Sequence, residues 1–322
     1  MLTLVASACG RGAASQTLTI YSGRSEELVG PIIDQFGKAT GIKVQVRYAS
    51  TSELAATILE EGGNSPADVF FAQDPGGLGA VEQLFTQIPD GILSQVESRF
   101  RSPQGRWVGI SGRARVIVYN TQKLSESDLP DDIWDFIDPK WQGRIGWAPT
   151  NGSFQAMVTA MRVLWGEDRT RQWLLGIQAN NPGVFPKNTP QVAAAAAGEI
   201  DVGFVNHYYL YRFIAEQGES FAARNYHPRA GGPGAIILVA GAGILETSRN
   251  KEAAERFLEF MLSPVAQQYF AGQTFEYPVV AGVQTNRLLK PLSEINSPQI
   301  DMADMTDLKG TLSLLRETGI LP

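Results

Sequence analysis

A chain of 322 residues with a hydrophobic fraction of 43% is long enough for about two domains and a large buried core. Its net charge of -6 and pI near 5.1 leave no basic footprint for nucleic acid, and the sequence has no apolar stretch of about 18 residues, the length of a transmembrane helix. The single cysteine, Cys9, excludes disulfides, thiolate metal sites and cysteine catalysis from the rest of the chain.

The first 16 residues differ in character from those that follow. Small residues precede Cys9, as at the end of a bacterial lipoprotein leader, although the basic part and the long apolar part of a full leader are missing. One interpretation is that Cys9 is lipidated after cleavage and tethers the protein to a membrane; the alternative is an ordinary residue of a tail. Residues 11–16 are typical of a short flexible linker, so residues 1–16 are predicted to be a leader remnant and linker.

Strand and helix patterns alternate from residue 17 onwards. The sequence predicts strands at residues 17–21, 42–48 and 67–71, and helices at residues 28–36 and 51–61. A βαβαβ order of this kind implies a parallel sheet with helices on both faces.

A second α/β unit follows a long apolar segment. Residues 107–120 have the pattern of a strand pair that can pass from one lobe to another, and residues 235–240 could cross back. Between these segments the patterns predict strands at residues 145–147 and 200–205 and helices at residues 153–165, 169–178, 191–198 and 208–217. Another amphipathic helix is predicted at residues 251–262.

These patterns indicate an α/β protein of two lobes. Lobe 1 would contain residues 17–112 and 238–285, and lobe 2 would contain residues 113–237 and 286–322. Ligands of such folds bind at the carboxyl ends of strands, here in the cleft between the lobes. The predicted functional loops therefore follow strands, at residues 21–25, 72–77 and 206–209.

Sequence motifs of enzymatic chemistry are absent. The two histidines, His207 and His227, lie apart and form no HExxH zinc motif, and the chain has no GxSxG, GxGxxG or P-loop motif. Asp131 and Asp132 lie in a polar turn and are predicted to begin a helix rather than to catalyse. We therefore expect no enzymatic activity; the alternative is a hydrolase that uses Asp74 and an arginine of the cleft.

The segment Asn206-His207-Tyr208-Tyr209 carries the most specific chemistry in the sequence. It follows an apolar strand and opens a helix, and at such a junction two successive side chains can converge on one point. Phenolates are hard, anionic oxygen donors that suit a small, highly charged ion such as Fe(III). The alternative is that the two tyrosines are aromatic residues packed at the edge of a lobe, with Tyr211 as a third.

Several blocks of the sequence match one known family, namely residues 18–24, 66–71, 148–154, 186–188 and 198–209. On these blocks the chain resembles the bacterial periplasmic ferric-ion-binding proteins of iron importers, and the correspondence runs along residues 17–290. Tyr208 and Tyr209 match one for one the tandem tyrosines with which that family binds Fe(III). The resemblance implies a two-lobe periplasmic-binding-protein fold of type II, similar to a transferrin lobe, with the ligand cleft between the lobes.

The resemblance also implies a synergistic anion, carbonate or a similar anion, that completes the iron shell. The loop matching the family's anion cradle is Asn151-Gly152-Ser153, and backbone N–H groups just before a helix suit an anion. Asn188 and Asn206 match further polar contacts of that cradle. Guanidinium groups fit planar carbonate well, so the candidates for added charge, with structural salt bridges as the alternative, are Arg24, Arg113 and Arg115.

The chain departs from the family's pattern at three places. Ser25 stands where some members have a histidine ligand, and Gln73, beside Asp74, stands where they have a glutamate ligand. The third tyrosine that other members carry near residues 153–154 is missing. Tyr21, at the end of the first strand, could supply a third phenolate, with core packing as the alternative. Anions or water would then fill the remaining positions around the metal.

These features together predict an extracytoplasmic substrate-binding protein of an ABC importer. It would bind ferric iron with an anion and deliver it to a permease, as a monomer at the periplasm or cell surface, with a lipid anchor if Cys9 is modified. Nucleic acid is not expected as a partner. The alternatives are the same fold with an organic cargo such as thiamine, a polyamine or a phosphonate, and a receptor domain that feeds signalling.

Overall fold

The computed structural model describes residues 17–322; residues 1–16, with the predicted lipidation of Cys9, lie outside the described residues. Ten strands form within that range: β1 (Thr17–Ser22), β2 (Lys43–Tyr48), β3 (Val69–Ala72), β4 (Trp107–Asn120), β5 (Ile145–Trp147), β6 (Gly183–Val184), β7 (Val202–Asn206), β8 (Ala223–Tyr226), β9 (Ile237–Ile244) and β10 (Tyr277–Pro278).

Eleven α-helices connect and cover these strands in the described part of the chain. They are α1 (Glu26–Thr40), α2 (Thr51–Glu61), α3 (Pro75–Val81), α4 (Asp90–Leu93), α5 (Gly152–Trp165), α6 (Glu167–Ala179), α7 (Asn188–Ala197), α8 (Tyr208–Gln217), α9 (Lys251–Leu262), α10 (Pro264–Gln273) and α11 (Leu308–Glu317). Within residues 17–322, no helix combines the length and the apolar character needed to cross a membrane.

The strands form one mixed sheet. Its order is β2-β1-β3-β9-β4-β7-β5-β6, and β8 and β10 also pair with β4. Strand β1 is parallel to both β2 and β3, which confirms the predicted βαβαβ unit. Strand β9 then runs antiparallel to β3 and to β4, so the chain returns to the first unit after it has built the second.

Strand β4 joins the two α/β units. The sequence predicted a strand pair here; the structure shows one continuous strand of 14 residues, buried along its whole length. Residues 107–114 of this strand pair with β9, and residues 115–119 pair with β7. The neighbours of β4 therefore change between Ala114 and Arg115, close to the proposed lobe boundary at residues 112 and 113. The division into lobes stays a prediction.

The buried apolar side chains form two cores, and the larger one extends from the first α/β unit to residues of α7 and α8 in the second. The larger core surrounds the first three strands and β9, where Phe36 of α1 packs edge to face on Phe257 of α9 with ring centroids 5.3 Å apart. The smaller core surrounds β5 and β7 and is rich in aromatic rings such as Trp173 and Phe204. Helix α11 packs against both α5 and α3, and its Leu314 and Leu315 enter the smaller core.

Short polar side chains determine where several helices begin. Ser50 caps α2 by accepting the N–H of Glu53, and Asp74 caps α3 by accepting the N–H of Gly77. Asp132 accepts the N–H of Trp134 at 2.9 Å and begins a 3₁₀ turn, so the prediction of a helix start at the Asp131-Asp132 pair is confirmed. These caps fix the entry points of helices next to loops that follow strands.

Removing the Phe257 ring should strongly destabilise the fold. Phe257→Ala would leave a cavity against Phe36 in the larger core, and we expect the free energy of unfolding to fall by about 3–5 kcal/mol. Leu59→Ala, on the half-exposed face of α2, should change it by less than about 0.5 kcal/mol. Urea denaturation followed by circular dichroism measures both values. A similar small loss for the two variants would contradict the assignment of Phe257 to the core.

Candidate functional site

Loops from the two α/β units meet around a cavity of about 700 Å³. The first unit contributes the segments after β1 and β3, with Arg24 and Gln73 among the lining residues. The second contributes the loop before α5, with Gly152, and the first turn of α8, with Tyr209. All three predicted functional loops therefore supply residues to this cavity, as expected for loops at the carboxyl ends of parallel strands.

The tandem tyrosines lie at an abrupt change from strand to helix. Strand β7 ends at Asn206, His207 already has helical backbone angles (φ -57°, ψ -39°), and α8 begins at Tyr208. The two tyrosine rings lie together, with centroids 4.3 Å apart and planes inclined by 32°. Tyr208 is fully buried, whereas Tyr209 is half-buried and lines the cavity. The third aromatic residue, Tyr211, stacks on Phe275 instead of joining the pair.

The hydroxyl group of Tyr208 is available to a ligand. The Tyr208 hydroxyl is buried and has no hydrogen-bond partner among residues 17–322. Burial and the adjacent Tyr208 raise the pKa of Tyr209 well above its usual value of 10, so the Tyr209 phenol is neutral at physiological pH. Since an unpaired buried hydroxyl is unfavourable, its position indicates a group that a ligand would satisfy.

His207 holds the strand-to-helix junction in place. Its Nδ1 accepts the N–H of Ala114 at 3.1 Å, and its Nε2 donates to the carbonyl oxygen of Phe275 at 2.8 Å. The ring also stacks on Tyr277 with centroids 4.8 Å apart. Burial lowers the pKa of His207 to about 3, so the imidazole is neutral and both of its nitrogens are already used. The sequence did not predict this anchoring role.

Three arginines are buried beside the tyrosine pair. Arg113 and Arg115 lie two residues apart on β4 and therefore project from the same face of the sheet, and Arg24 comes from the loop after β1. Each has two guanidinium nitrogens without a partner in the described part of the chain: Nε and Nη1 of Arg24, Nε and Nη1 of Arg113, and Nε and Nη2 of Arg115. These nitrogens form a cluster of unused donors.

Positive charge exceeds negative charge in this cluster. Glu276 contacts Arg24, and both Glu276 and Asp74 lie near Arg113. Burial and the repulsion from Arg113 lower the pKa of Arg115 to about 9, which shows how unfavourable the uncompensated charge is. A bound anion would relieve this repulsion and satisfy the free donors. Arg24 therefore does form the structural salt bridge considered as its alternative role. That salt bridge uses one of its three guanidinium nitrogens and leaves the other two for a ligand.

The predicted polar cradle is assembled around Arg115. Its Nη1 donates to Asn206 Oδ1 at 3.0 Å and lies 3.4 Å from Ser153 Oγ and 3.5 Å from Asn188 Oδ1. Asn188 Nδ2 in turn donates to Ser153 Oγ and to Asn151 Oδ1. Asn151 also caps α5 by accepting the N–H of Ser153, and Gly152, the first residue of α5, lines the cavity. The cradle residues therefore come together in the structure, and Arg115 joins them.

Asp74 of the first unit and Gly152 of the second lie close together at this site. A Cβ atom on Gly152 would lie 2.8 Å from Asp74 Oδ2, so only glycine fits there without displacing the carboxylate. Asp74 Oδ2 is buried without a partner among the described residues, as is Gln73 Nε2. Burial raises the pKa of Asp74, and the Arg113 charge opposes that shift.

The structure does not bring Tyr21 to the tyrosine pair, which corrects its tentative placement at a metal. The Tyr21 hydroxyl donates to Glu61 Oε1 at 2.9 Å, and its ring lies under the guanidinium of Arg47. Glu61 is the last residue of α2, whereas Thr51, the first, lines the cavity. At 1.5 Å per residue, α2 separates the Tyr21 hydroxyl from the cavity by about 15 Å.

Histidine, cysteine and carboxylate groups do not form a metal site by themselves. Within residues 17–322, no cluster of three or more His, Cys, Asp or Glu side chains has the spacing to hold a metal ion. Glu276, which contacts Arg24, was missed by the sequence prediction because a lone glutamate in Phe275-Glu276-Tyr277 carries no motif.

Comparisons with known proteins agree with this architecture. The family of bacterial extracellular solute-binding proteins matches residues 22–268. The Fe(3+)-binding periplasmic protein of Serratia marcescens is 35% identical over 312 residues, covering 96% of this chain and 92% of that protein. The structure of iron-bound HitA from Pseudomonas aeruginosa has a TM-score of 0.91 at 35% identity, covering 94% of this chain and 99% of that one.

A solved structure of Trichodesmium IdiA (FutA), in complex with iron and citrate, has a TM-score of 0.80 at 32% identity and covers 94% of this chain and 99% of that one. The similarity thus extends over nearly the whole length of each relative, and the relatives are binding proteins. It confirms the predicted two-lobe periplasmic-binding-protein fold. The chain therefore belongs to the bacterial extracellular solute-binding proteins and, within them, to the family that includes the Fe(3+)-binding periplasmic proteins.

Proposed function

We propose that this protein is the substrate-binding component of an ABC importer and binds ferric iron together with a synergistic anion. One observation carries the proposal: the hydroxyls of Tyr208 and Tyr209 lie next to three buried arginines whose free nitrogens have no partner within residues 17–322. Iron-binding relatives of similar length and fold support it. The role is one of binding and delivery, without a chemical step.

The tyrosine pair supplies the ligands that fit a hard cation. Two phenolate oxygens carry negative charge and prefer Fe(III) to softer or divalent ions. Binding requires that the cation displace the phenol protons, because a buried phenol such as Tyr209 is otherwise neutral. Since the described residues hold no histidine or carboxylate cluster for a metal, the tyrosines are the protein's contribution and the anion completes the shell.

The anion would lie between the arginines and the first turn of α5. Arg115, Ser153 and Asn188 form one wall, and Gly152, the first residue of α5, brings the N-terminal end of that helix to the cavity. Arg113 adds a buried charge from the same strand. Carbonate or a similar anion would receive hydrogen bonds from these groups and offer its oxygens to the iron.

Cleft closure would signal the loaded state to a permease. Glu27 of α1 and Arg212 of α8 form an ion pair of 3.2 Å at the edge of the cavity, joining the two units. Because both side chains are substantially exposed, the pair contributes little to closure, on the order of 0–1 kcal/mol, and the ligand provides most of the driving force.

We further propose a monomer in the periplasm or at the cell surface, with a lipid on Cys9.

Substitution of both tyrosines should abolish iron binding. The double variant Tyr208→Phe/Tyr209→Phe keeps the rings and removes the hydroxyls, so the visible phenolate-to-iron band should disappear while the fold remains. Titration of the purified protein with ferric citrate in bicarbonate buffer, followed by absorption, measures saturation at a single iron per chain. Tyr21→Phe is the matched control and should bind iron like the unsubstituted protein, because its hydroxyl is bonded to Glu61.

Unchanged iron affinity in the double variant would rule out the tyrosine site. A colourless unsubstituted protein without saturable iron binding would rule out iron as the cargo altogether. Thiamine, a polyamine and a phosphonate would then be tested on the same cavity by calorimetry.

Iron affinity should rise with pH between about pH 5.5 and 8. Each phenol that becomes a ligand releases a proton, so two tyrosines predict an increase of up to about 100-fold per pH unit. Burial lowers the pKa values of His207 and His227 to about 3 and about 4, so neither histidine titrates in this range. Competition with a chelator, corrected for the chelator's own protonation, measures the slope. An affinity independent of pH would show that the iron ligands are not phenols.

A further inference from the structure

Glu276 is a fully buried carboxylate with both oxygens engaged. Its Oε1 accepts a hydrogen bond from Arg24 Nη2, and its Oε2 accepts one from Ser111 Oγ at 2.7 Å. The residue immediately precedes β10, which pairs with β4 at Ser111 and Gly112. Glu276 is therefore held against the middle of the sheet, outside the loops that line the cavity.

Glu276 determines which edge of Arg24 is free. One nitrogen, Nη2, is used by the carboxylate, and Nε and Nη1 are without partners in the described part of the chain. The guanidinium carbon lies 5.8 Å from the centroid of the Tyr208 ring, so the Arg24 guanidinium is next to the tyrosine pair. Burial lowers the pKa of Arg24, but the Glu276 carboxylate opposes this and the net shift is upward, so Arg24 stays charged.

The residue before Glu276 ties the same segment to the tyrosine junction. Phe275 has φ of +56°, a conformation that is unfavourable for a non-glycine residue. Its carbonyl oxygen accepts the Nε2 hydrogen of His207, the residue that precedes Tyr208. Phe275 thus holds the start of α8 through His207, and the adjacent Glu276 holds the Arg24 guanidinium.

The Glu276 charge also affects the net charge of the site, and therefore which anion makes the site neutral. Arg24, Arg113 and Arg115 contribute three positive charges, and the Glu276 and Asp74 carboxyl groups, when both are ionised beside these arginines, contribute two negative charges among the described residues. The protein part of the site therefore has a net charge of about +1. Fe(III) with two phenolates adds another +1, so a dianion makes the whole assembly neutral, whereas a trianion leaves it negative.

We propose that Glu276 is a positioning residue that orients Arg24 toward the anion. Because its carboxylate neutralises one arginine, the site selects a dianion of the carbonate or hydrogen phosphate class over a tricarboxylate. The inference rests on the proposed iron-and-anion function. The charge of this one buried carboxylate would thus determine whether the site prefers a dianion or a trianion.

Glu276→Gln removes the charge and keeps the size; its amide oxygen can still accept from Arg24, and its NH2 group can donate to Ser111 Oγ in place of the bond that Glu276 Oε2 accepts. Iron affinity and iron-free anion binding would be measured in separate bicarbonate, phosphate and citrate buffers at one pH. We expect the citrate-to-phosphate affinity ratio to rise at least about tenfold, because an extra positive charge at short range favours the more negative anion. Glu61→Gln is the matched control: this glutamate also accepts side-chain hydrogen bonds but lies at the far end of α2, so the ratio should not change.

The double variant Arg24→Gln/Glu276→Gln separates charge from packing. It restores the net charge of the unsubstituted site, so the anion ratio should return toward its original value even though each affinity falls. Ser111→Ala, which leaves the charge of Glu276 in place, should lower affinity for every anion without changing the ratio and serves if Glu276→Gln does not fold. A changed ratio in Ser111→Ala, or an unchanged ratio in folded Glu276→Gln, would overturn the proposal.

The two arms of this experiment distinguish the present inference from the proposed function. Calorimetry of the iron-free protein reports the anion ratio whether or not iron binds, so it tests Glu276 directly. The visible band of the unsubstituted protein tests iron. Bicarbonate and phosphate arms identify which dianion is preferred, and a preference of the unsubstituted protein for citrate would overturn the dianion assignment.

Discussion

The structure depends on one strand that runs through both α/β units. Strand β4 pairs with β9 over its first half and with β7 over its second, and it is buried throughout. Because alternate residues of a strand share a face, Arg113 and Arg115 project together at the point where its neighbours change. A buried charge is tolerated only if its surroundings compensate for it, so the polar groups around these arginines are a requirement of the fold as well as of a ligand.

The surroundings compensate for the charge only in part, and the remainder defines the site. Asn206 lies opposite Arg115 in the ladder and bonds to it, and Asn188 and Ser153 complete that contact. Donors of all three arginines still lack partners within residues 17–322. An anion can accept hydrogen bonds from these donors. An anion beside two phenols offers the negatively charged oxygen ligands that a trivalent cation requires. Iron and anion would therefore each make the other's binding favourable, which is positive coupling in the thermodynamic sense.

Helix starts place the remaining groups. Asp74 at the start of α3 and Asn151 at the start of α5 are ordinary capping residues that each satisfy a backbone N–H. The caps also bring the ends of two helices, one from each unit, to within contact of each other at Gly152. His207, at the start of α8, makes no capping bond with its side chain; hydrogen bonds at both ring nitrogens connect the tyrosine pair to β4 and to Phe275 instead.

The sequence alone determined the elements and the most specific chemistry of this protein. Hydrophobic periodicity predicted the parallel β1–β2–β3 unit and helix α8, because burial imposes repeats of two and 3.6 residues. The strand-to-helix position of Tyr208 and Tyr209 was also readable, since it is local. Only the tertiary structure decided that Tyr21 turns to Glu61, that β4 is one strand, and that Glu276, more than 250 residues from Arg24, is its partner. These outcomes depend on contacts between distant segments, and side-chain direction and charge pairing across such distances leave no periodic trace in the sequence.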